Sequence, residues 1–322
     1  MKMLAKTFLT AALAAVAGGS WSQGTAYVSS EKDNALTMID MATLTVKGTI
    51  ATCKRARHVQ MTPDAKIMVA CTDSNAADII DPATGKSLRR LPLGKEPEAF
   101  DISPDGKTIY VSNEDEGEAS FVDAASGKVL KSVKVGKEPE GVKVSADGRL
   151  VYVTSEVASM VHVIDTATAK VLKNVKVGKR PRRMALTPDG KELWVTNELD
   201  ASVSIVSTAD HSVVASIKFE VKGARAGDIT PVGIQITRDG KRAFVALGRA
   251  NHVAFIDVAS RKVTDQVLVG KRAWNVALDK AEARLLVVNG LSDDITVVDV
   301  AGAKALKSIP VGRVPYGVVI VE

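Results

Sequence analysis

The chain has 322 residues, of which 46% are hydrophobic and 25% charged, and its formal net charge is +6 at pH 7. That excess falls to about +4 if Lys2 and Lys6 are removed with a leader, too little for this length to imply nucleic acid. Beyond the first 22 residues no stretch approaches the roughly 18 apolar residues of a membrane-spanning helix.

In chain order, Met1 to about Ser22 reads as an export signal. Lys2 and Lys6 form a positive n-region, Phe8 to Ala17 a short apolar h-region, and Gly18, Gly19, Ser20 and Ser22 offer small-residue cleavage points. No cysteine follows the h-region, so no lipid anchor is expected. The mature chain, residues 23–322, is expected to be soluble and periplasmic.

Tyr27 to Ile50 carries three short runs of alternating apolar and polar residues and lacks a fourth. The complete unit stands at Gly136 to Gly178, where four such runs (Gly141 to Val144, Leu150 to Thr154, Met160 to Ile164, Val171 to Val177) predict four antiparallel strands. The triplets Ser103-Pro104-Asp105, Ser145-Ala146-Asp147 and Thr187-Pro188-Asp189 recur at a period of 42 residues. Four strands at that period indicate propeller blades, because one such sheet cannot bury both faces alone. Helical repeats are excluded by the two-residue alternation and by the Val, Ile and Tyr at its apolar positions.

First strands begin near Arg57, Glu98, Glu140, Arg182, Val232, Trp274 and Tyr316, which predicts seven blades. The tail Val314 to Glu322 matches only a first strand, and Tyr27 to Ile50 only the other three. Joined, they close the ring and leave no open edge between the first and last sheets. Length alone suggests about two domains, but the unbroken repeat makes one all-β domain the better count.

Within the blades, Pro104-Asp105-Gly106, Asp189-Gly190 and Asp239-Gly240 mark first hairpins, and Asp40, Asp81, Asp123, Asp165, Asp257 and Asp299 close third strands as turn caps. Lys131, Lys134, Lys173, Lys176, Lys218 and Lys307 fall on fourth strands, where lysine discourages edge-to-edge association.

Tyr152-Val153-Thr154-Ser155, Trp194-Val195-Thr196-Asn197 and Tyr110-Val111-Ser112-Asn113 resemble the second strand of YVTN-type β-propeller repeats. Ser103-Pro104-Asp105-Gly106-Lys107 and Val163-Ile164-Asp165-Thr166-Ala167-Thr168 agree with that family across the mature chain. An exported chain of seven such repeats is similar to the propellers associated with pyrroloquinoline-quinone (PQQ)-dependent alcohol catabolism. The resemblance implies a quinoprotein dehydrogenase or a transporter component as periplasmic partner. It does not extend to the dehydrogenases themselves, which resemble longer eight-bladed propellers with a recurring Trp and an adjacent Cys pair. Here Trp194 and Trp274 stand at different strand positions, and Cys53 and Cys71 are separated.

No cofactor or metal is called for. There is no Cys-x-x-Cys-His run, and His58, His162, His211 and His252 show no ligand spacing. Gly-x-Ser-x-Gly, a phosphate loop and His-Glu-x-x-His are absent, so no nucleophile and base can be named together.

What the geometry leaves concave is the mouth of the central channel, where first strands start and second strands end. The residues placed there by phase are Arg55, Arg57 and His58; Glu96 and Glu98; Glu138 and Glu140; Arg180, Arg182 and Arg183; Arg272 and Trp274; and Tyr316. Glu114 and Glu156 support an acidic arc between basic connectors, so the mouth is expected to be bipolar. Its arginines are expected to be exposed and thus to matter little for folding. Cys53 and Cys71, both at the mouth end of one blade in an exported chain, are expected to pair. Between Thr187 and Thr237 the spacing is 50, and Glu220 to Thr230, with Gly223 and Gly227, reads as a mobile loop on the mouth face.

A non-catalytic scaffold that binds a partner protein or a small charged ligand is the leading reading. An enzyme or quinone-handling protein acting at the mouth is the alternative, and single-stranded nucleic acid a weaker third, because carboxylates in the wall repel phosphate.

Overall fold

The structure, a computed structural model, describes residues 24–322; the stretch read as an export signal, Met1 to about Ser22, lies outside these residues. Seven four-stranded antiparallel sheets form a ring, six of them with their strands in sequence order from the inner strand outward. The inner strands are Ala56–Met61 (blade 1), Pro97–Ile102 (blade 2), Pro139–Val144 (blade 3), Pro181–Leu186 (blade 4), Ile234–Ile236 (blade 5), Ala273–Leu278 (blade 6) and Pro315–Val321 (blade 7). Blade 7 is composite: Pro315–Val321 pairs with Thr25–Ser30, which continues into Ala35–Asp40 and Thr45–Ala51. The ring is thereby closed by pairing the two ends of the described chain, as the fragment match predicts.

Each sheet buries both faces against its neighbours. Between blades 1 and 2, for example, Met68, Ile79 and Leu91 pack on Phe100, Ile109 and Val111, and a comparable apolar cluster fills the junction of blades 7 and 1 with Tyr27, Leu36, Val59, Ile67 and Val69. At about 25 cal/mol per Å² of apolar area removed from water, these inter-blade faces carry the hydrophobic stabilisation of the fold. The fourth strands stand outermost and mostly exposed.

The signature second strand has a clear structural job. Its Ser or Thr hydroxyl accepts from a backbone N–H of its own inner strand and donates to a carbonyl of the next blade. Thr154 accepts from Gly141 and donates to the Arg182 carbonyl, Thr196 accepts from Arg183 and donates to Val232, and Ser112 accepts from Ala99 and donates to Glu140. Asn113, the last residue of its motif, donates to the Leu93 and Lys95 carbonyls of the incoming connector. The motif staples adjacent inner strands, so it specifies the ring and not an activity.

The third-strand aspartates act as turn caps: Asp40, Asp123, Asp165 and Asp257 each accept backbone N–H bonds from residues two or three positions on. The loop from Glu220 to Thr230 is not a mobile arm. Val221 and Ile229 are buried in the apolar cluster of blades 4 and 5, Ala226–Asp228 forms a 3-10 turn, and the Thr230 hydroxyl accepts from the Arg249 N–H. Two apolar anchors outweigh the backbone freedom of Gly223 and Gly227. Among the described residues, no helix is long and apolar enough to cross a membrane.

Candidate functional site: the channel mouth

The mouth is built by one device repeated around the ring. The residue before an inner strand adopts a left-handed conformation, with φ of 57° at Arg55, 47° at Glu96, 54° at Glu138, 55° at Arg180, 60° at Arg272 and 51° at Val314. Such a conformation is costly for a residue with a side chain, and it persists because the surroundings hold it. At Arg55, Glu96 and Arg272 the backbone N–H donates to the side-chain oxygen of Asn34, Asn75 and Asn251, and at Val314 to that of Asp293. The inner strands then bulge: pairing is interrupted between Ala56 and Val59, Pro181 and Met184, and Ala273 and Val276. A bulge re-aims side chains, and here it sends consecutive residues toward the channel at different depths.

The first bulge position supplies a closed layer, one residue per blade: Arg57, Glu98, Glu140, Arg182, Val232, Trp274 and Tyr316. All seven are at most 7% exposed. Arg57 pairs with Glu98 and lies 4.4 Å from the Tyr316 ring centroid. Arg182 pairs with Glu140 at 3.0 Å and with Glu156, and its guanidinium lies 5.1 Å from the Trp274 ring centroid. The Tyr316 hydroxyl donates to Glu140 Oε1 at 3.1 Å, joining blade 7 to blade 3 across the channel.

This layer separates two cavities. The upper one, about 310 Å³, is lined by Arg55, Arg57, Glu140, Arg180, Arg182, Arg272, Trp274 and Tyr316, together with Glu31, Glu114, Glu156 and Glu198. The lower one, about 230 Å³, contains His58 and Arg183, with Gln60, Asp101 and Lys143. The mouth assignment therefore needs correction at five positions, one of them Glu98, which is fully buried in the layer against Arg57 and does not line the upper cavity. His58 and Arg183, one residue deeper in the bulge, face the lower cavity. Glu138 and Glu96 stand outside the upper lining, Glu96 paired to Arg55 at 3.4 Å.

Nor are the arginines exposed. Arg57, Arg182 and Arg183 are 7%, 4% and 8% exposed, because their long stems fold across a narrow channel onto carboxylates and rings. Replacing them would strand buried carboxylates, which contradicts the expectation that they matter little for folding. Two carboxylates of the upper wall, Glu31 and Glu198, were not read from the sequence, whereas Glu114 and Glu156 were. Glu31, Glu114, Glu156 and Glu198 each follow the terminal Ser or Asn of a second strand, a phase visible in the repeat.

Burial and pairing set the charges. At Glu140 burial is outweighed by Arg182, Arg183 and Arg57, which hold its carboxyl at about 2. Glu156 shares Arg182 and pairs with Arg180 at 2.7 Å, but burial, Glu140 and Glu198 push it up to about 8. Burial, with Glu140 and Glu114 nearby, raises Glu98 well above the usual carboxylate range despite Arg57. In the lower cavity burial and Arg183 depress His58 to about 3, leaving it neutral, with its ring edge-on to Phe100 at 4.7 Å.

Two lining residues escape this mutual neutralisation. Arg272 makes no ion pair among the described residues; its guanidinium lies 4.1 Å from the Trp274 ring centroid. Glu114 has no cationic partner among them either. In addition, the buried Trp274 indole Nε1 finds no acceptor among the described residues. Cys53 and Cys71 form a disulfide with Cα atoms 5.6 Å apart, which pins the connector carrying Arg55 to the end of the blade 1 second strand.

Residues 165–309 match the family model described as "Lactonase, 7-bladed beta-propeller". The match spans less than half of the chain. No curated protein matches. Among solved structures the chain is similar to hydrazine synthase of Kuenenia stuttgartiensis, at 20% identity over 91% of this chain and 99% of that one, with a TM-score of 0.78. It is also similar to a candidate 6-phosphogluconolactonase of Bacteroides uniformis ATCC 8492, at 15% identity over 93% and 100% with a TM-score of 0.78. The dihydro-heme d1 dehydrogenase NirN is a third such structure, at 14% identity over 92% and 75% with a TM-score of 0.69. At these identities the likeness shows the fold alone.

Proposed function

We propose that this propeller is a non-catalytic binding protein whose upper chamber receives a small charged ligand or the charged segment of a partner. The observation that carries this reading is Arg272: a half-buried guanidinium laid on Trp274, without a counter-ion, in a wall whose other arginines are paired. A guanidinium fork without a carboxylate is a ready receptor for one. The leader-like pattern of residues 1–22 and the two-cysteine disulfide favour a periplasmic site of action. The YVTN-type repeats favour a partner drawn from PQQ-dependent alcohol oxidation, a quinoprotein dehydrogenase or a transporter component. Calorimetric titration with succinate tests the chamber: binding is expected in the parent and lost in Arg272→Ala at unchanged melting temperature. Equal binding by both would place the ligand elsewhere.

The family match over residues 165–309 favours a second reading, lactone hydrolysis in the same chamber. Against it, the upper lining contains no Ser, Thr, Cys or His, and of its carboxylates only Glu114 is free of a cationic partner to act as a base toward water. Incubation with δ-gluconolactone, read as acid release, is expected to show no rate above buffer; a rate abolished by Glu114→Gln would favour the enzyme.

A further inference from the structure

The ion pairs of the upper wall divide unevenly. On the side of blades 7, 1 and 2, the lining Glu31 contacts Arg55 and Arg57 while the lining Glu114 contacts neither; Glu96 and Glu98, outside the lining, take further contacts of Arg55 and Arg57. Oxygens of Glu96, Glu98 and Glu114 lie within 4.8 Å of one another. On the side of blades 3, 4 and 6, the lining Arg180, Arg182 and Arg272 face Glu140, Glu156 and Glu198, whose ion pairs within the lining all fall on Arg180 and Arg182. Pairing among the lining residues thus leaves one carboxylate on the first side and one guanidinium on the second without a partner of opposite charge among the described residues. These are Glu114 and Arg272 respectively.

We propose that the chamber binds a dipolar small molecule, its carboxylate at Arg272 and its ammonium at Glu114. The inference rests on the reading of this chamber as a ligand site and names the ligand class. The Trp274 indole, nine-tenths buried in the chamber wall with Nε1 unpartnered, is an independent mark of a hydrogen-bond acceptor beside Arg272. A buried donor left unmet costs free energy that an incoming acceptor removes.

The acidic wall selects the other end. A divalent cation is disfavoured there because Arg57 already contacts Glu98 and Arg55 contacts Glu96, so a second strong positive charge would be repelled by both. A singly charged ammonium meets Glu114 with Glu96 and Glu98 behind it and suffers less of that repulsion. The chamber volume of about 310 Å³ is at the small end for ligand sites, which suits a molecule of amino-acid size.

The test is calorimetric titration of the intact protein with glycine, γ-aminobutyrate and ε-aminohexanoate, alongside the half-molecules hexanoate and hexylamine and calcium chloride. The expected result is that one zwitterion binds at least about tenfold more tightly than either half-molecule, a gain of about 1.4 kcal/mol from the second charge. Arg272→Gln should erase the preference over hexylamine, Glu114→Gln the preference over hexanoate, and Arg272→Lys should restore part of the first. Both positions reach the surface, and unchanged melting temperatures would show that the variants fold. Hexanoate binding as tightly as every zwitterion, with dependence on Arg272, would overturn the dipolar ligand while leaving the binding site in place. Calcium binding more tightly than the zwitterions and depending on Glu114 would overturn it in favour of a metal site. No binding by any zwitterion would also overturn it.

Discussion

On the outer strands Lys131, Lys134, Lys176 and Lys218 stand in solvent, and their ammonium groups reach exposed carbonyls at Ala167, Glu116, Ala158 and Asp200. On the inner strands Arg57, Arg182 and Arg183 are more than nine-tenths buried and bound to Glu98, Glu140 and Tyr316. The same repeat places both sets, yet the outer cations stay in water even where Lys134 meets Glu118 and Lys218 meets Asp200, whereas the inner ones have exchanged hydration for buried carboxylates. Charge counted along the sequence therefore says little about energy until depth is known. An exposed pair contributes about 0–1 kcal/mol, whereas half of a buried pair costs several when left alone.

Removing Val314 to Glu322 should have the largest effect. It takes away the inner strand of blade 7, with Tyr316 and Val318, and exposes both neighbours. Each buried side chain lost is worth roughly 1.5–3 kcal/mol, so the shortened chain should no longer melt cooperatively. A melting curve that overlays the parent's would refute the closure.

Arg182→Ala comes next. Glu140 and Glu156 would lose a shared partner, at roughly 3–5 kcal/mol by urea unfolding. A loss below about 1 kcal/mol would mean that the inner cations are as well solvated as the outer ones, and the contrast would dissolve.

Replacing Cys53 and Cys71 by Ser opens a bridge between residues 18 apart, expected to cost about 3 kcal/mol from loop closure. Denaturant unfolding with and without reductant should show the same difference in the parent and none in the variant.

Acidification sharpens the contrast with the lower cavity. His58 stays neutral in the folded chain to about 3, while the unfolded chain binds a proton below about 6.5. The unfolded state then holds more protons, so this contribution is lost as pH falls from 6.5 toward 3, by up to about 1.4 kcal/mol per pH unit. Glu156 acts oppositely, since its raised value makes the fold less stable as pH rises from 4.5 toward 8. Comparing the parent with His58→Gln isolates the first effect: the variant should lose less stability between pH 6.5 and 4.5, and parallel curves would contradict it.

The smallest change is expected from replacing Lys131, Lys134 and Lys173 with Ser on the outer edge, within about 0.5 kcal/mol per site. A larger loss there, measured by the same unfolding curves, would show that the rim is structured in a way its exposure does not suggest.

The blade count, the four-strand unit, the composite seventh blade and the turn-capping aspartates were legible in the sequence because each depends on local alternation, turn chemistry and a fixed period. That same phase brought Arg55, Arg57, Glu140, Arg180, Arg182, Arg272, Trp274 and Tyr316 to one chamber. It could not say that His58 and Arg183 face a different one, because a bulge offsets neighbouring side chains in depth without altering the repeat. The packing of Glu220 to Thr230 was likewise hidden, since Val221 and Ile229 find their partners only when blades 4 and 5 meet. Local sequence thus determined the ring and which residues surround its axis. Tertiary structure decided which of their charges cancel, because in a channel this narrow long side chains from different blades cross and neutralise one another, and only Arg272 and Glu114 among the lining residues were left without a partner of opposite charge.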